Sequence, residues 1–109
     1  QAVARASPIV GICVNDGVVL CALRRRSGRL QEPNFREKLH QVDVHVVCAA
    51  AGLTADAAAL IALLREAARR HALVFQEPMP VGSLASRAAD VKQSFTQRGG
   101  LRPWGASLL

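Results

Sequence analysis

Ile9-Val10-Gly11-Ile12-Cys13-Val14-Asn15-Asp16-Gly17-Val18-Val19-Leu20-Cys21-Ala22-Leu23 is the stretch on which the fold turns. Two apolar runs rich in β-branched residues flank Asn15-Asp16-Gly17, and Asp-Gly between such runs is a strong hairpin signal because glycine accepts the positive φ of tight turns. Both runs are almost continuously apolar instead of alternating. That pattern belongs to a sheet covered on both faces.

Reading outward, Arg24-Arg25-Arg26-Ser27-Gly28-Arg29 is polar and turn-like and is followed by Pro33, which marks a surface loop. A second strand pair is predicted from Lys38 to Val42, through Asp43, into Val44 to Ala51. Gly52-Leu53-Thr54 ends it, with Thr54 placed to cap a helix and Asp56 in the first turn, where the helix dipole favours a carboxylate. Ala57, Leu60, Ile61, Leu64, Ala67 and Ala68 recur at three- and four-residue spacing, leaving Arg65, Glu66, Arg69 and Arg70 outward. This helix is predicted to reach about His71. Gln76-Glu77-Pro78-Met79-Pro80 breaks the pattern, since proline lacks an amide hydrogen. A second helix follows through Val81, Leu84, Ala88, Val91 and Phe95, with Gly99-Gly100 as its stop, and Trp104 to Leu109 reads as a returning strand. No internal repeat or low-complexity tract interrupts this order.

A chain of 109 residues fits one domain, half of it apolar and a fifth charged, a globular balance. No apolar run approaches the roughly 20 residues of a membrane span, and the N-terminus lacks a signal-like pattern. Cys13, Cys21 and Cys48 all lie in apolar runs without C-x-x-C spacing, so they read as reduced core residues of an intracellular protein. The net charge of +6 comes mainly from arginine, in Arg24 to Arg29 and in Arg65, Arg69 and Arg70. Such a surface favours acidic partners, nucleic acid included. However, Phe35, Phe75, Phe95 and Trp104 are scattered and tyrosine is absent, so no base-stacking platform is visible. His40, His45 and His71 have no ligand-like spacing, and Gly99-Gly100 lacks the phosphate-loop pattern. Neither a metal nor a cofactor is expected. Two amphipathic helices cover only one face of a sheet, so the remaining layer must come from another chain or from further sequence.

Several stretches, in order, carry a family resemblance. They are Gly11-Ile12 with Asn15 to Leu20, Glu37-Lys38-Leu39, Gly52-Leu53-Thr54-Ala55-Asp56-Ala57, Gln76-Glu77-Pro78-Met79, Asp90 to Gly100, and Arg102-Pro103-Trp104-Gly105. On these residues the chain resembles the N-terminal half of a proteasome α-type subunit, and Lys92 to Leu109 is most similar to the α-type 4 class. The resemblance implies an α+β fold, part of the four-layer αββα sandwich of N-terminal-nucleophile hydrolases. It implies one partial domain over residues 1–109, lacking the N-terminal gate segment and the C-terminal half. The implied role is a non-catalytic scaffold of the core α ring, serving assembly, gating and activator docking in ATP- and ubiquitin-dependent protein degradation, in cytoplasm and nucleus. The implied partners are other α-type and β-type subunits and the C-termini of regulatory caps.

Active β-type relatives use an N-terminal threonine with its free amine, a lysine and an aspartate. Aligned on the first hairpin, these fall on Ser7, Lys38 and Leu23. Ser7 is preceded by Gln1 to Ala6 and followed by Pro8, and leucine accepts no hydrogen bond. No catalytic residue is therefore assigned. By the same resemblance Lys38, Gly52 and Leu53 line an activator-docking pocket, where an ammonium receives a C-terminal carboxylate and a glycine lets a peptide approach closely. A processed peptidase using Ser7 and a basic nucleic-acid-binding module are the competing readings.

Overall fold

The computed structural model describes residues 7–23, 38–97 and 104–109. The Arg24–Arg29 loop, Pro33, Phe35, Glu37, the Gly99-Gly100 stop and Arg102-Pro103 lie outside them. β1 (Ile9–Val14) and β2 (Gly17–Ala22) form the expected antiparallel hairpin, with Val14 opposite Gly17 around Asn15-Asp16. Gly17 does not supply a positive φ; among the described residues only Gly52 and Gln76 lie in that region. The Asp-Gly signal thus located the turn without describing its backbone.

Residues paired across a ladder share a face. Gly11 and Leu20 are such a pair and point to the rest of the molecule, where a methyl group on Gly11 would meet Leu109 Cδ2 at 2.9 Å. Val10, Ile12 and Val19 share the opposite face, and each is more than half exposed. Among the described residues no layer covers this outer apolar face, the face for which the sequence calls on another chain or further sequence. The same geometry corrects the reading of the cysteines. Cys48 is buried, whereas Cys13 and Cys21 are exposed, and all three are free.

β3 (Leu39–Asp43), β4 (Val46–Gly52) and β5 (Ala106–Leu108) make a three-stranded antiparallel sheet with β4 central. The strand break falls at Val44-His45, so β4 begins two residues later than the apolar run implied. A bulge between Gln41 and Asp43 absorbs the tight connection, and the Asp43 carboxylate accepts from Val44 N–H at 2.7 Å. β5 is shorter than predicted, although Leu109 still exchanges both backbone hydrogen bonds with Ala49, at 2.8 Å each.

α1 (Thr54–Phe75) lies across all three strands. Leu60 and Ile61 are its deepest side chains, and Ile61, Leu64 and Ala68 pack with Val42, Val46 and Cys48 of the sheet. A second cluster joins Ala57 and Leu60 to Ala50 and Ala106. α2 (Val81–Gln97) packs on α1, burying Leu84 in the first cluster and setting Val91 against the second. The predicted Thr54 cap is corrected. Leu53 occupies the N-cap with extended dihedrals and makes no side-chain cap hydrogen bond, while Thr54 is the first helical residue. α1 also runs four residues past His71, supported by the His71–Phe75 ring contact at 4.6 Å and ended by left-handed Gln76 just before Pro78.

Candidate functional site

The open end of the β1–β2 hairpin is closed by a hydrogen bond of 3.1 Å from Leu23 N–H to the Pro8 carbonyl. Lys38, immediately before β3, reaches this place from the other sheet, and its half-buried ammonium donates to the Ser7 carbonyl at 3.0 Å. Ser7, Leu23 and Lys38 therefore converge, as a hairpin-based alignment requires. The chemistry differs from a nucleophile with its base. Lys38 is turned to a main-chain oxygen of Ser7, and Leu23 is half exposed and has no side-chain group that could accept a hydrogen bond. The contact ties the hairpin layer to the three-stranded sheet by a charge-assisted bond, in addition to the approach of Leu109 to Gly11.

The Lys38 carbonyl accepts from Ala50 N–H at 2.8 Å, so Lys38 sits across the ladder from a residue two positions before Gly52. Lys38 and the Gly52-Leu53 turn accordingly occupy one end of the sheet. Strand alternation directs the Gly52 N–H to the same side as that of Ala50, the β3 side.

Gly52 has φ +117°, and a methyl group on it would lie 2.1 Å from the Gly105 carbonyl oxygen and 2.9 Å from Ala106 Cα. The glycine is required by the approach of β5. Leu53 N–H donates to the Gly105 carbonyl at 2.8 Å, and the Leu53 carbonyl accepts from Ala57 N–H at 3.0 Å as the first bond of α1. Its side chain leans over Gly105 and remains partly exposed.

Asp56, only 6% exposed, accepts from Gly105 N–H through Oδ2 at 2.7 Å. The third residue after an N-cap commonly reaches back to the cap's own N–H; here that N–H is taken by Gly105, and the carboxylate reaches Gly105 instead. From α2, Lys92 Nζ donates to the next carbonyl, Ala106 O, at 2.8 Å. Both helices thus hold the entry to β5. Sequence reasoning missed Asp56 and Gly105 as members of this site, because an acidic first turn already had a sufficient local explanation in the dipole.

The histidines hold connections. His45 Nε2–H donates to the Met79 carbonyl at 2.7 Å, with Nδ1 3.7 Å from Asp43 Oδ2, and His71 Nδ1 lies 3.3 Å from the Glu77 carbonyl. Burial pushes the Cys48 thiol above its ordinary value, against a smaller opposing effect of a backbone hydrogen bond with Leu109. Among the described residues no helix is long and apolar enough to cross a membrane.

Residues 3–109 match the model of the Proteasome subunit family. The proteasome subunit alpha type-4 of Dictyostelium discoideum is 44% identical over 110 residues, covering 99% of this chain and 44% of that protein. The proteasome subunit alpha of Pyrococcus horikoshii is 42% identical over 109 residues, covering all of this chain and 42% of the relative. The proteasome subunit alpha type-4-A of Arabidopsis thaliana is 43% identical over 110 residues, covering all of this chain and 44% of that protein. The chain spans less than half the length of the curated relatives it matches.

Proposed function

This chain belongs to the proteasome subunit family, and from that premise we propose that it is a non-catalytic structural component of the core α ring. It contributes to ring assembly, gating and activator docking for ATP- and ubiquitin-dependent protein degradation. The observation that carries the non-catalytic reading is the environment of Lys38: its ammonium is on the Ser7 carbonyl, and the neighbouring Leu23 supplies no carboxylate. A proton relay needs acceptor and donor side chains in sequence, and here Ser7 meets Lys38 through a peptide oxygen while Leu23 has an alkyl side chain.

The apolar outer face of the β1–β2 hairpin supports an αββα sandwich in which this chain supplies one helical layer, the three-stranded sheet and the first hairpin of the second sheet. Other α-type and β-type subunits are the partners, and cytoplasm and nucleus the location. The end of the sheet carrying Lys38, Gly52 and Leu53 is the docking pocket, where the ammonium receives the terminal carboxylate of a regulatory cap and the Gly52 amide lies on the same side. A lysine suits this role as a compact point charge.

Native mass spectrometry of the chain purified gently from its source tests the assignment. Recovery in a particle of several hundred kilodaltons, with other α- and β-type chains, is the expected result. Recovery as a lone monomer would overturn it and bring nucleic-acid binding forward.

A further inference from the structure

We propose that Asp56 and Gly105 are the positioning residues of the docking pocket, holding in place, beside Lys38, the turn that follows the Gly52 amide; the inference rests on the pocket reading given above. Gly52 combines a positive φ with the absence of a side chain, so nothing of its own fixes the direction of the peptide plane that follows it. What fixes it is a closed circuit. Leu53 N–H donates to the Gly105 carbonyl, Gly105 N–H donates to Asp56 Oδ2, and Asp56 belongs to the same helical turn that begins at Leu53. Both polar groups of one glycine are held at the start of α1, by its N-cap residue and by a residue of its first turn.

The circuit is short of room as well as hydrogen-bonded. A methyl group on Gly105 would meet Leu53 Cδ1 at 2.7 Å and Asp56 Oδ2 at 3.3 Å, and one on Gly52 would meet the Gly105 carbonyl. Glycines 52 and 105 are thus matched to each other, and Asp56 sets the height at which they meet. Asp56 is buried, so water does not compete for its bond to Gly105, and such a carboxylate orients its donor more strictly than an exposed one. Lys92 holds the following carbonyl from α2, which leaves the entry to β5 gripped at two successive residues. The pocket's geometry is therefore written partly in a strand that the ligand need not touch.

The test uses the full chain and a synthetic peptide ending in a free carboxylate, with its C-terminal amide as the control. It measures binding together with hydrogen exchange at the Leu53 and Gly105 amides. D56A is expected to weaken carboxylate binding by about tenfold, the worth of one well-made buried hydrogen bond. Exchange at Leu53 and Gly105 should speed up while the amides of Leu60 to Leu64 keep their protection. D56N keeps an oxygen acceptor for Gly105 and should return the Gly105 amide toward the slow exchange of the parent, a rescue that loss of general stability would not give. If D56A does not fold, D56S, whose hydroxyl is too short to reach Gly105, takes its place in the comparison.

Unchanged exchange at Gly105 in D56A would overturn the inference, as would Gly105 exchange in D56N as fast as in D56A, or carboxylate binding that stays at the parent level in D56A while that exchange speeds up. Should the parent bind acid and amide peptides alike, with K38A no different, the docking reading fails. Slow exchange at Leu53 and Gly105 that depends on Asp56 would then sustain only the positioning circuit.

Discussion

Replacing Gly52 with alanine places a methyl group 2.1 Å from a carbonyl oxygen, on a residue whose φ of +117° already disfavours any L side chain. G52A is expected to lose about 2–4 kcal/mol, seen as a lower urea midpoint at unchanged slope. Gly82 is the useful contrast: in the first turn of α2 its Cβ position is open space with ordinary φ, and G82A should gain about 0.5–1 kcal/mol. The cysteines divide in the same way. Cys13 and Cys21 should react with a thiol reagent in the native protein well before Cys48, which is buried and whose thiol is held protonated. Because burial raises the folded-state pKa, stability attributable to Cys48 is intact below the ordinary value of 9.0 and declines as pH rises through the raised one. C48A should flatten that alkaline loss in a denaturation series between neutral and high pH.

α1 carries the helical layer through a stripe of small and branched side chains, and its two faces differ sharply in what they contribute. L60A removes a side chain 1% exposed at the junction with Ala50 and Ala106, and should cost about 2–5 kcal/mol by thermal or urea unfolding. R70A removes an ion pair with Glu66 that is 3.0 Å long but 74% exposed on the arginine side, and should shift stability by less than about 0.5 kcal/mol. The hairpin, both helices and the buried face of α1 were legible in the sequence because spacing and turn residues act locally. The cap was not, since Thr54 is a good local candidate and only the distant Gly105 shows why Leu53 takes the position. The last turn of α1 escaped for a related reason: Leu73, Val74 and Phe75 are exposed, so the amphipathic rhythm stops before the helix does. Lys38, Gly52 and Leu53 were reached through family likeness, whereas their supports Asp56 and Gly105 became visible only with the tertiary contact.

At the scale of the whole molecule the layers are helices, a three-stranded sheet and a hairpin whose outer face is apolar, with a cleft of about 680 Å³ between hairpin and sheet. Ile12 is more than half exposed on that hairpin, and I12K tests whether its face is an assembly surface. Native mass spectrometry of particles from cells expressing the variant should find it missing from the large particle. Equal incorporation of parent and variant would argue that this face is not covered in the assembly. The central strand of the sheet is bordered on one side by β3, near in sequence, and on the other by β5, which arrives after both helices. Gly105 and Asp56 are 49 residues apart, so on a chain emerging from the ribosome the start of α1 waits for its clasp until nearly all the intervening sequence has been made. During that interval the near strands and the helical hairpin, closed by short-range contacts, have time to form first. A chain held at the point where Gln97 has emerged from the ribosome and Trp104 has not would thus have its helices made and one side of β4 unzipped, leaving an open strand edge for a chaperone to recognise.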